Sequence, residues 1–240
     1  MKERRRKNCI DSLPPPYGTV NSEEGVKEEV RRLFSDEFVE TDFDKPTLDG
    51  INFNSMTVVD KELLEASFLD VEIKEVVWSF EGSNSSGPNK YNFFFIRKCW
   101  KFLKKDFYKF FNDFHGGSDV FFKATISSFL TLIPKKYNPS NLDDYRIIFL
   151  VGCLYKALTK LLGIRLKYVV LAKLVSHCQS AFVLGRHLLD DVLVANAEVD
   201  FALKEKKSYL LYKVDFKKSY DKVSCYYLKY VLVRIGFRDK

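Results

Sequence analysis

Residues 209–223 read "YLLYKVDFKKSYDKV", and the reading of that stretch decides the rest. Its first six residues, "YLLYKV", are mostly aromatic, branched or otherwise apolar, the composition of a strand, and they run directly into Asp215. Asp221 follows six positions later, with Phe216 and Tyr220 between the two aspartates. Two readings fit. An aspartate at the C-terminal end of a buried strand has its backbone fixed by the sheet and its carboxylate at the open edge, which suits a hard divalent cation. Aspartate is also a frequent helix N-cap, and "KKSYDKVSCYYLKYVLVRIGF" (217–237) reads as a helix that Asp215 or Asp221 would start.

Working outward, "ISSFLTLIPKK" (126–136) and "YRIIFLVG" (145–152) are apolar runs on either side of a polar turn, which predicts an antiparallel hairpin. Cations flank the turn: Lys135 and Lys136 on the way in, Arg146 on the way out. A long helix is expected over 153–175, then a loop and another helix over 176–207. Upstream, 91–114 repeats Phe93, Ile96, Trp100, Leu103, Phe107, Phe110 and Phe114 at helical spacing, with lysines between them. Those lysines are either a solvated face over a packed core or neighbours of a phosphate backbone. "EGSNSSGPNK" (81–90) is a loop. A helix over 68–80 turns Ile73, Val76 and Val77 to one side, 41–56 is an irregular connector, and 22–39 is a helix capped by Ser22 with Val30 and Leu33 inward. The order predicts an α+β protein.

The chain has 240 residues, 46% of them hydrophobic, enough for a packed core. Its formal charge of +7 favours a polyanionic partner, nucleic acid before an anionic membrane. Five cysteines, an odd number with no C-x-x-C pair, argue for reduced thiols inside a cell, in nucleus or cytoplasm, and against a disulfide scaffold or zinc finger. The longest apolar stretch is interrupted by Lys156, Lys160, Arg165, Lys167 and Lys173, so no membrane span is expected. Residues 1–22 read as a flexible basic lead-in that is not a secretory signal: a nuclear-localisation or nucleic-acid tail, or simply a solvated end.

Four pieces in series, "LIPKKYNPSNLDDYRII", "LVGCLYKALTKLLGIRLK", "SHCQSAFVLGRHLLDDVLVANAEVD" and "LLYKVDFKKSYDKVS", together resemble the N-terminal half of reverse transcriptases of non-LTR, LINE-type retrotransposons, particularly those of plants. "LDGINFNSM" and the region 72–115 resemble the stretch that precedes the fingers in the same elements. The resemblance implies a partial right-hand polymerase: a helical extension over 23–124, fingers over 125–207 and the start of a palm over 208–240. It implies that Lys135, Lys136 and Arg146 hold the incoming deoxynucleoside triphosphate and that Gln179 and Arg186 lie on the template side. It makes Asp215, with the backbone carbonyl of Phe216, a ligand for Mg²⁺, and Tyr220 the aromatic that screens out ribonucleotides. RNA template and DNA primer are the implied partners.

The chain departs from that pattern. It has Arg146-Ile147-Ile148 where the family usually has arginine-proline-isoleucine, Ser219 where alanine is usual, and Gly87-Pro88-Asn89-Lys90 where a glycine closes the turn. The family's paired-aspartate second motif has no counterpart after Asp215; Asp143-Asp144 and Asp190-Asp191 both precede it. One carboxylate does not clamp two metal ions, so these 240 residues are expected not to polymerise alone. The other readings are a non-catalytic nucleic-acid-binding protein and an element remnant without function.

Overall fold

The computed structural model describes residues 22–37, 39, 45–83, 85–118, 125–137, 139, 144–206, 208, 210–216 and 222–238. In chain order the described elements are α1 (Glu23–Glu37), α2 (Val58–Glu65), α3 (Asp70–Trp78), α4 (Phe93–Lys98), α5 (Trp100–His115), β1 (Ser128–Pro134), β2 (Tyr145–Val151), α6 (Cys153–Leu166), α7 (Leu188–Lys204) and α8 (Cys225–Arg234). A single π turn, Lys167–Leu171, and a last helical turn, Ala172–Leu174, continue α6. The fold is a mixed one, mainly helical with a small two-stranded sheet. No described helix is long and apolar enough to cross a membrane. The chain divides into two compact units, one from residues 1–42 and 69–158, the other from 43–68 and 159–240.

In the first unit the core is aromatic and branched. Ile73, Val76 and Val77 are buried, as the spacing of α3 predicts, and Phe93, Ile96, Phe107, Phe110 and Phe111 close over them. Fully burying each such side chain contributes about 1.5–3 kcal/mol before entropy is counted. The rings of Phe80 and Phe93 stack at 4.0 Å, and Trp78 meets Trp100 edge-on at 5.2 Å. The helix expected over 91–114 forms, with a break at Cys99 between α4 and α5. The hairpin forms as the sequence predicts, β1 antiparallel to β2, with Ser128 opposite Val151 and Pro134 opposite Tyr145.

In the second unit α2 occupies a stretch that the sequence pattern had left unassigned. Thr57 caps it, and the Thr57 backbone N–H donates in return to the Asp60 carboxylate at 3.1 Å. Asp60 is buried against Lys173, Nζ to Oδ1 2.5 Å. That ammonium first, and Thr57 second, hold the Asp60 carboxyl well below its ordinary value, at about 2. The buried Arg165 donates to the carbonyls of Ala66 and, at 2.9 Å, Ser67, with its guanidinium 4.6 Å from the Phe68 ring centre. The far end of the unit is stitched to α8. Leu48 N–H donates to the Tyr230 hydroxyl at 3.1 Å, Arg234 donates to the Leu48 carbonyl at 2.9 Å, and Met56 N–H donates to the Ile235 carbonyl at 3.1 Å.

Two expectations for the C-terminal part are corrected. The run expected as a strand over 209–214 forms none where it is described: 210–216 has no regular structure and is exposed throughout. A strand needs a neighbour to exchange backbone hydrogen bonds with, and the sheet among the described residues consists of β1 and β2 alone. The last helix is capped by Ser224, whose hydroxyl accepts from Tyr227 N–H at 3.0 Å, so neither Asp215 nor Asp221 starts it. Asp221 itself, like residues 1–21, lies outside the described residues.

Candidate nucleotide and nucleic-acid site

The hairpin carries three of the predicted site residues at its turn end. Lys135 and Lys136 follow directly on the last residue of β1, and Arg146 is the second residue of β2, opposite Ile133. All three are exposed. Asp144 closes the turn: its carbonyl accepts from Lys135 N–H at 2.7 Å, and its carboxylate meets Lys136 Nζ at 3.0 Å. The Tyr145 hydroxyl beside it is pushed above its ordinary value, by burial first and by the Asp144 charge second. Three cations thus flank one turn of backbone, with the Asp144 carboxylate among them, and a planar fork such as that of Arg146 suits two phosphate oxygens at once.

The exit of β2 is held by a loop whose role the sequence signalled only as a turn. Gly87 packs onto the backbone of Val151 and Gly152. A Cβ on Gly87 would lie 2.7 Å from Gly152 N and closer still to the Val151 carbonyl. Lys156 Nζ donates to the Ser85 carbonyl at 2.8 Å, and the Cys153 thiol donates to the Tyr91 carbonyl at 3.1 Å. Burial raises that thiol above its ordinary value, with the Lys156 charge opposing the shift. The turn ends with Lys90 at φ +60°, so the position where the sequence departs from glycine does adopt a left-handed backbone.

Gln179, Arg186, Asp215 and Phe216 belong to the second unit. Gln179 and Arg186 are brought together: the Arg186 guanidinium donates to the carbonyls of Gln179 at 2.7 Å, Val175 at 3.1 Å, Ala172 at 3.4 Å and also Ser176. It thereby caps the carbonyl end of the helix before it and pins the loop that follows. Gly185, at φ +78°, and Phe182, at φ +66°, make that loop's reversals, and the buried Ser180 donates to Asp191 at 2.6 Å. Arg186 and Asp191 are thus positioning residues here, a role the spacing did not reveal.

Asp215 and Phe216 stand on the exposed stretch 210–216, and Tyr220 lies outside the described residues. Magnesium takes about six oxygen ligands. No three His, Cys, Asp or Glu side chains come together among the described residues. The described donors therefore do not make a magnesium cage, and no chemical step follows through one.

Residues 133–240 match the family described as "Reverse transcriptase (RNA-dependent DNA polymerase)". Over 232 residues, 95% of its length, the chain is 25% identical to the transposon TX1 uncharacterized 149 kDa protein of Xenopus laevis. It spans 17% of that relative's length.

Proposed function

We propose, from the match of residues 133–240 to the reverse transcriptase family, that this chain is the fingers and the beginning of the palm of an RNA-directed DNA polymerase encoded by a LINE-type transposable element. The fingers run over 125–207 and the palm begins at 208. Lys135, Lys136 and Arg146 bind the triphosphate of an incoming deoxynucleotide. Gln179 and the loop pinned by Arg186 border the RNA template, and Tyr220 is the residue that screens out ribonucleotides. Reverse transcriptases in general use a divalent metal; Asp215 and the Phe216 carbonyl are this chain's contribution to its ligands, and the remaining carboxylates come from elsewhere. The site of action is intracellular. By themselves these residues bind substrates without extending a primer.

The observation that supports this best is the placement of three cations beside the turn of one hairpin inside the family-matched stretch. Equilibrium binding of a deoxynucleoside triphosphate tests it. Removing a charge-assisted hydrogen bond costs about 1.5–3 kcal/mol, so Arg146→Ala weakens binding roughly ten- to a hundredfold. Unchanged affinity in Arg146→Ala and in the double variant Lys135→Ala/Lys136→Ala refutes the assignment. Primer extension on an RNA template by these 240 residues, lost in Asp215→Asn, refutes the inactivity.

A further inference from the structure

A second basic surface lies outside the family-matched stretch. Along α4 and α5, Phe94, Lys98, Phe102, Lys105 and Lys109 recur at steps of three or four, Lys101 stands four before Lys105, and all six are exposed. Helical geometry puts such residues on one side. The break at Cys99 barely interrupts the winding, since Cys99 N–H donates to the Phe95 carbonyl at 2.9 Å and its own carbonyl accepts from Leu103 N–H at 3.1 Å. The opposite side is the buried one, carrying Phe107, Phe110 and Phe111.

The composition of the outer face is unusual for a merely solvated one. Residues 93–115 hold six lysines and arginines against two aspartates, Asp106 and Asp113. Lysines alone would keep the face wet. Phe102, however, is 79% exposed and Phe94 57%. Lys98 Nζ sits 5.7 Å from the Phe94 ring centre. Flat apolar rings set among cations match a ligand that alternates π-faces with phosphates.

We infer that this face binds single-stranded nucleic acid, the lysines neutralising phosphates while Phe94 and Phe102 stack on unpaired bases. From residue 94 to 109 it extends about 22 Å at the helical rise, room for several nucleotides. A duplex keeps its bases stacked on one another and offers the rings nothing. An anionic membrane fits less well, because a helix lying on lipid immerses its apolar face and here that face is closed within the unit's core. The inference does not depend on the hairpin or on Asp215.

The test is fluorescence anisotropy of the whole chain with a labelled 15-nucleotide single-stranded RNA, a duplex of the same length and phosphatidylserine vesicles, at rising salt. Removing Lys101 and Lys105 together should reduce the slope of log affinity against log salt by about 1.4, roughly 0.7 for each phosphate contact on a single strand. Phe102→Ala should weaken single-strand binding about tenfold, within the range for one stacked base, and Phe102→Trp should restore it. Both substitutions are at exposed positions, and unchanged melting curves establish that the fold survives. Single-strand affinity and slope unchanged in both variants, equal affinity for the duplex, or binding to vesicles alone overturns the inference. Loss of RNA binding only in Arg146→Ala overturns it too, and leaves the hairpin assignment standing.

Discussion

β1 and the stretch 210–216 are each seven residues long and each rich in leucine and aromatic or branched residues, yet only one of them is a strand. β1 is in register with β2 along its whole length, and the turn that joins them is fastened by Asp144. The stretch 210–216 leaves Leu210 93% exposed and Phe216 74% exposed. The two runs differ little in propensity. What separates them is a partner: β1 finds one a short loop away, at modest closure cost, whereas no described residue pairs with 210–216. An unpaired apolar run of this kind is the typical template for pairing with another chain.

The sharpest way to break the contrast is to attack the paired run where it is anchored. Gly87→Val drives a branched side chain into the Val151–Gly152 backbone, and the resulting overpacking should cost about 3 kcal/mol. Trp78 and Trp100, the chain's two tryptophans, both lie in the same unit and report its urea unfolding by fluorescence. Ile148→Lys, in the middle of β2 opposite Thr131, should cost about 2 kcal/mol by putting a charge on a half-buried ladder. A loss below about 0.5 kcal/mol for either substitution would mean that the hairpin is no better held than 210–216.

A third measurement asks whether the second unit has anchors of its own. The folded Asp60 carboxyl titrates at about 2, below its ordinary 3.8. A depressed carboxyl contributes stability that is complete above pH 3.8 and is lost as the pH falls from there through 2. Circular-dichroism melts between pH 5 and pH 2 should show that loss, and Asp60→Asn should lack it. The smallest effect belongs to the unpaired run. Val214→Lys, at a half-exposed position, should shift stability by less than about 0.5 kcal/mol while reducing light scattering from self-association.

Periodicity made the helices and the hairpin legible before any coordinates. The spacing of Ile73, Val76 and Val77 identified the inner side of α3, and the cations around the hairpin turn were found from their position after an apolar run. Three features escaped. The capping pair Thr57 and Asp60 was present in the sequence, but α2 is too short for its periodicity to stand out. The run 209–214 had the residues of a strand, and residue type says nothing about whether a neighbour is there to pair with. Arg186 was placed only by the resemblance, on the template side, whereas its job in the fold is to serve four carbonyls, an arrangement that follows from how the chain winds around it and from no local spacing.

That choice of side chain has a further consequence. A guanidinium spreads five N–H donors in one plane, so a single side chain ties the knot around residue 186 to four backbone oxygens. A lysine there would offer three donors without the planar spread that reaches four oxygens. The turn at 180–187 thus hangs from the plane of one side chain.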